Sequence, residues 1–292
     1  MIRYIIQSTD TMNSIAKRFG VPLKSVLLAN PYLNPLYVRP GIMIFIPLPS
    51  YRFVTYDILG SANKISKTQM NMLTAWRKYI VQLARNHLNE MYINGSPIEN
   101  NVSLTFDDGP DSSVTPRVLD ILKSNDIKAN FFFVGTQINY FPNIVKRAYD
   151  EGHLILNHSW NHPYFTKINI KIIREEIILT ENRIKDIIGK RPALVRPPYG
   201  ATDEKVLTAI NGTNNKIVIW SIDSMDWVQN VDKQTIIKNI LNNVRPGDII
   251  LMHSSMGHKI DVEVLPEIIN GLRRKNYGIV DLSVLLKINP YK

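Results

Sequence analysis

Val102-Ser103-Leu104-Thr105-Phe106 runs directly into Asp107-Asp108-Gly109-Pro110. A short apolar run that ends in two adjacent carboxylates and a turn sequence reads as a buried strand delivering acids to its carboxyl end. The arrangement recurs four times. Residues 154–157 lead into His158-Ser159-Trp160-Asn161-His162-Pro163, and residues 193–195 into Arg196-Pro197-Pro198-Tyr199-Gly200. Residues 217–220 precede Asp223-Ser224-Met225-Asp226-Trp227, and residues 249–252 precede His253-Ser254.

Outward from these runs, apolar stretches at 102–106, 131–134, 154–156, 193–195, 217–220, 249–252 and 279–280 alternate with helical patterns at 116–124, 142–151, 170–188 and 233–243. Strands alternating with helices imply a parallel sheet with right-handed crossovers. The expected fold is therefore α/β, a distorted (β/α) barrel over residues 100–292 that is imperfectly closed. In such a barrel the carboxyl ends of all strands share one face, and that face hosts active sites. Five clusters far apart in sequence would converge there.

Each cluster has a purely structural alternative. Asp-Asp-Gly-Pro is a good turn, Arg196-Pro-Pro-Tyr-Gly could be a rigid loop, Asp226-Trp227 a cap beside a core aromatic, and His253 an ordinary histidine with a backbone partner. His158 and His162, four apart, suit two ligands of one metal, with Ser159 where a zinc-protease motif would carry its Glu. The chain has no cysteine, so disulfides, thiol nucleophiles and thiolate metal sites are excluded, and a metal must be held by His, Asp or Glu. Asp107 and Asp108 are the candidates for a third ligand and a base.

The front of the chain reads differently. Residues 3–49 give strand, helix, helix, strand, a small βααβ module: Tyr4-Ile5-Ile6, a helix opened by Asp10 or Thr11 and stopped by Gly20, a second opened by Pro22 and broken at Asn30-Pro31, then Pro40-Gly41 turning into Met43-Ile44-Phe45-Ile46. Fewer than fifty residues make a marginal core, so this is an accessory unit. Residues 50–99 are expected to be a linker carrying one amphipathic helix through Leu73, Trp76, Ile80, Leu83 and Met91, docked on a neighbour.

Of the formal charge of +10, residues 1–100 carry +7 (11 Lys/Arg against 4 Asp/Glu) and residues 101–292 carry +3 (24 against 21). A basic front could meet nucleic acid, a membrane surface or an anionic wall, or be an ordinary solvated surface, and no arginine-rich or aromatic-interleaved stretch supports nucleic acid. No segment approaches the ~20 apolar residues of a membrane span, and Met1–Gln7 does not read as a signal peptide.

The ordered set of five clusters resembles the polysaccharide deacetylases, carbohydrate esterase family 4, over about residues 100–285, with every motif intact. Residues 3–49 resemble the lysin-motif (LysM) module, with Thr9 where many members have Gly. The resemblance implies that Asp108, His158 and His162 bind one divalent metal, zinc foremost and cobalt or nickel as alternatives. It implies Asp107 as general base, His253 as general acid, Asp226 as partner of His253, Arg196 as partner of Asp107, and the Tyr199 backbone as an oxyanion donor. Trp227, Leu251 and Pro198 would line the substrate groove, and Asp10, Thr11, Asn30 and Pro31 the module's glycan site. The implied reaction removes N-acetyl groups from N-acetylglucosamine polymers, peptidoglycan or chitin, by a monomer at the cell wall, spore envelope or outside the cell. An acetylxylan esterase on the same fold and a non-catalytic wall-binding protein are the alternatives.

Overall fold

The computed structural model describes residues 2–34, 38–47 and 54–292. Its strands are β1 (Ile2–Ile5), β2 (Met43–Ile46), β3 (Met91–Tyr92), β4 (Asn101–Asp107), β5 (Asn130–Phe133), β6 (Leu154–Asn157), β7 (Leu194–Val195), β8 (Lys216–Val218), β9 (Ile222–Asp223), β10 (Ile249–His253) and β11 (Gly278–Ile279). The helices are α1 (Met12–Arg18), α2 (Leu23–Ala29), α3 (Lys67–Asn86), α4 (Val114–Ser124), α5 (Gly135–Tyr140), α6 (Pro142–Asp150), α7 (Ile170–Ile188), α8 (Glu204–Ile210), α9 (Lys233–Leu241), α10 (Lys259–Arg274) and α11 (Leu282–Leu286).

The large sheet has the order β3-β8-β7-β6-β5-β4-β10-β9, with β11 also paired to β4. Every pair in it is parallel. No ladder joins β3 to β9 among the described residues, so this is the distorted, open barrel expected. Val102, Leu104 and Phe106 on one face of β4 and Ser103 and Thr105 on the other are all fully buried. Burial on both faces is what a parallel sheet inside a shell of helices requires, and Ser103 and Thr105 meet it by bonding to the Val280 and Ile250 carbonyls. The helices begin and end on chemical signals. Ser66 and Gln69 form a capping box at the start of α3, and left-handed Gly189 ends α7.

The barrel recruits chain before residue 100. β3 pairs with β8, and Leu59 bridges in parallel to Ile222. Residues 54–99 are therefore built into the barrel instead of linking to it. Two-residue pairings are too short to carry a periodicity, so sequence reading saw only the helix; the expected 49/50 boundary lies outside the described residues.

The front module folds as βααβ, with β1 antiparallel to β2 in the register Ile2↔Ile46. It docks on the barrel through Tyr56 and Arg245, both fully buried. The Arg245 guanidinium lies 4.1 Å over the Tyr56 ring, pairs with Asp248 at 2.9 Å, and donates to the carbonyl of Arg18 at 2.7 Å. The Tyr56 hydroxyl donates to the carbonyl of Pro246 at 2.8 Å.

Candidate metal centre and catalytic groove

β4 and β10 are neighbours in register, with Asp107 opposite His253. The carboxyl ends of β4, β6, β7 and β10 thus bring four of the five clusters together, and the loop after β9 brings the fifth. Asp107, Asp108, His158, His162, Tyr199, Trp227, Leu251 and His253 all line one cavity of about 1150 Å³. Pro198 does not line it; it is buried, and the exposed member of that turn is Tyr199, at left-handed φ 59°.

Asp107 is 3% exposed, and its Oδ1 accepts from Arg196 Nη1 at 2.7 Å. Arg196 is fully buried yet well satisfied: Nη1 also donates to Thr105 Oγ1, Nε to the carbonyl of Val218, and Nη2 to that of Ile219, while the plane covers Phe132 at 4.1 Å. A buried charge is tolerable only when paired and bonded in this way. The arginine therefore fixes the orientation of one carboxylate oxygen and leaves Oδ2 toward the cavity, 3.7 Å from His158 Nε2.

Asp108, at φ 70°, points its Oδ1 toward His158 Nε2 at 3.4 Å and His162 Nε2 at 3.1 Å. The three potential ligand atoms lie within 4.8 Å of one another. Burial would raise the Asp108 carboxyl, but the two imidazoles overcome it and hold it well below the usual carboxylate range. The Nδ1 of His158 sits 2.7 Å from the carbonyl of Arg196. That acceptor requires the proton on Nδ1, so a neutral His158 keeps its Nε2 lone pair for a cation, whereas without one an Nε2 proton is what bonds Asp108. Two imidazole nitrogens and one carboxylate oxygen, oriented by a backbone carbonyl, fit a divalent cation with an open coordination position.

The His158–His162 loop is held by a residue that sequence reading missed. Glu176 of α7, 7% exposed, accepts from the backbone N–H groups of Trp160 and Asn161 at 2.8 and 2.7 Å and from Asn161 Nδ2 at 3.0 Å. Its signal was a carboxylate within the stripe Ile173, Ile177, Thr180 and Ile184 that buries α7. Ser159 Oγ accepts from the His162 N–H, which makes the serine a loop clasp.

On the opposite side, the Nδ1 of His253 meets both oxygens of Asp226 at 2.8 and 2.9 Å. Its side chain is 12% exposed and that of Asp226 wholly buried. Burial lowers the imidazole, but Asp226 and then Asp108 and Asp107 raise it from 6.5 to about 10. Asp261, in the first turn of α10, is fully buried; burial and then the Asp226 carboxylate push its carboxyl well above the usual carboxylate range. His258 stacks on His253 at 4.4 Å. Trp227, 44% exposed, and Tyr199, 50% exposed, present aromatic faces to the groove, the latter stacked on Tyr164 at 3.9 Å.

In the front module, Asp10 and Asn30 are buried and bonded to the module's own chain. Asp10 is buried and accepts from Tyr4 Oη and the N–H of Gln7 while pairing with Arg18. Asn30, 1% exposed, ties Val26 and Tyr32 to both backbone groups of Phe45. Thr11 and Pro31, by contrast, are the exposed members of the set.

Residues 94–218 match the polysaccharide deacetylase family, and residues 4–47 match the LysM domain. A peptidoglycan-N-acetylglucosamine deacetylase of Bacillus cereus is 44% identical over 188 residues, 64% of this chain and 68% of the relative. The peptidoglycan-N-acetylglucosamine deacetylase PgdA of Listeria monocytogenes is 38% identical over 184 residues, 63% of this chain but only 38% of that protein's length. Among solved structures, the Bc1960 peptidoglycan N-acetylglucosamine deacetylase superposes with TM-score 0.67 at 39% identity, over 69% of this chain and 95% of its own.

Proposed function

The chain belongs to the polysaccharide deacetylase family, and from that premise we propose that it hydrolyses the N-acetyl group of N-acetylglucosamine residues in peptidoglycan, releasing acetate and a free amine. The observation that carries the reading is the pairing of two proton-transfer groups across one cavity: Asp107, held by Arg196, faces His253, held by Asp226.

A divalent cation, zinc by preference, held by Asp108, His158 and His162 supplies Lewis-acid polarisation and a lowered water pKa. Asp107 takes one proton from the attacking water on its free Oδ2. The backbone N–H of Tyr199 donates to the oxyanion that develops from the acetyl carbonyl. His253, charged through Asp226, donates the proton on Nε2 to the leaving nitrogen, because an amide nitrogen leaves poorly unprotonated. Water and amide become acetic acid and amine, one proton accepted at Asp107 and one given at His253, and the acid's proton passes to the amine, so that acetate and an ammonium group leave. Trp227 and Leu251 form the wall against which the sugar and its acetyl methyl lie.

The LysM match and the relatives' substrate point to action at the cell wall. No helix among the described residues is long and apolar enough to cross a membrane. One chain holds every residue named in the site, so a monomer suffices. The test is acetate release from peptidoglycan fragments, chitin oligomers and acetylated xylan in parallel. Release from the first two at a rate above the third supports the assignment; release from xylan alone replaces it with an esterase.

A further inference from the structure

Two consecutive residues of α3 touch opposite walls of the groove, and neither lies in the region that the family match covers, which begins at residue 94. Trp76 packs on Trp220 at 5.6 Å and lies against Gly200, where a Cβ would come within 2.6 Å of the indole. Gly200 closes the turn that presents Tyr199. Arg77 reaches the other wall. Its Nη2 donates to Asp223 Oδ2 at 2.9 Å and its Nη1 to the carbonyl of Gly60 at 2.7 Å. Asp223 is 1% exposed, and its second oxygen accepts from the N–H of Met225 at 3.0 Å and from the indole N–H of Trp227 at 3.1 Å.

We propose that Arg77 is a positioning residue for substrate binding: acting through Asp223, it fixes the indole of Trp227 and the loop carrying Asp226 in the orientation that grips the sugar. The proposal rests on the deacetylase reading above. Its geometry is a relay of two links. The guanidinium occupies Oδ2, which sets the carboxylate plane and turns Oδ1 toward two donors of the next loop. One of them belongs to Met225, at left-handed φ 65°, a conformation that persists only where its surroundings hold it. The other is the single polar atom of Trp227, so its bond selects one ring orientation for a half-exposed tryptophan. With the guanidinium gone, the carboxylate plane is no longer determined and the indole loses its anchor. Gly60 completes the seat: at φ 144°, with a Cβ position 2.2 Å from the carbonyl oxygen of Asp223, only glycine brings an acceptor this close.

The test uses the full chain with Arg77→Met, Arg77→Lys, Trp227→Phe and the Arg77→Met/Trp227→Phe double variant. The first readout needs no substrate. The difference between wild-type and Trp227→Phe emission isolates Trp227 from the other three tryptophans, and its acrylamide quenching should rise in Arg77→Met. The second readout is the split between KM and kcat on N-acetylglucosamine oligomers at matched metal content. KM should rise by about tenfold, the low end for residues that orient others, and Arg77→Lys, keeping one of the two donations, should recover part of it. In the Trp227→Phe background the further rise should shrink, because one of the two donors on which Arg77 acts through Asp223 is already gone. Unchanged KM and quenching in Arg77→Met, or KM effects that multiply independently in the double variant, would overturn the proposal. If the wild type releases no acetate from any glycan, the deacetylase reading fails, while the quenching result still decides whether Arg77 orients the indole.

Discussion

Replacing Asp226 by Asn tests the acid at its source. The His253 imidazole stands at about 10 against an ordinary 6.5, a difference worth on the order of 5 kcal/mol at ~1.4 kcal/mol per pH unit. Burial works against that rise, so the carboxylates supply more than the net, and Asp226 contributes most. A cation at Asp108 cancels part of what Asp107 and Asp108 add, so the alkaline limb of turnover falls short of 10 but stays above 6.5. The sign is that of a raised base: the proton needed by the leaving amine is present below the folded value and lost as pH rises through it. With Asp226→Asn the charge is gone and burial remains, so the limb moves down to 6.5 or lower. At pH ~7.5 only about one-tenth of the imidazole would then be protonated, a tenfold loss from charge alone. The Asn amide can also face its N–H toward Nδ1, which opposes the imidazolium and deepens the loss. Acetate release from N-acetylglucosamine oligomers, measured across neutral and alkaline pH at constant metal content, reads the limb directly. A wild-type limb near 6.5, or one that Asp226→Asn leaves in place, would refute the reasoning.

His158→Ala should bind no metal and release no acetate while keeping its circular dichroism, whereas Asp107→Asn should keep its metal and lose two to four orders of magnitude in turnover; metal analysis of both variants separates ligand from base. His253→Ala should retain more relative activity on an activated acetyl ester than on N-acetylglucosamine oligomers, since an alcohol leaves without the help an amine needs; equal losses on both would count against the leaving-group role. A chain starting at Val54 should hydrolyse short soluble oligomers yet pellet less with insoluble peptidoglycan. It should also melt several degrees lower in a thermal scan, because it strips cover from Tyr56 and removes the Arg18 carbonyl that Arg245 uses.

The sequence disclosed the barrel strands that alternate with helices in a regular order, as at β4, β5 and β10, and hid β3 and β9, two-residue strands that fall outside that alternation. The cluster of Asp108, His158 and His162 and the placement of His253 were legible because chemistry-bearing residues stand immediately after apolar runs. Glu176 and Arg77 were not, because each sits in the middle of a helix where a charged residue ordinarily faces water, and only the packed structure shows which ones turn inward. The burial of Asp10 and Asn30 was equally hidden, because polar residues in a short loop ordinarily face water and only the packed module shows them tied to Tyr4, Gln7 and Phe45.

The Tyr56–Arg245 junction changes what the front module can contribute. A module on a free tether raises the effective concentration of substrate everywhere its tether reaches, and the gain decays smoothly with length. A module seated on a buried ion pair has no such sphere. It offers the groove one direction and one distance, so capture helps only where the course of the wall strand agrees with that vector, and elsewhere it holds the substrate out of reach.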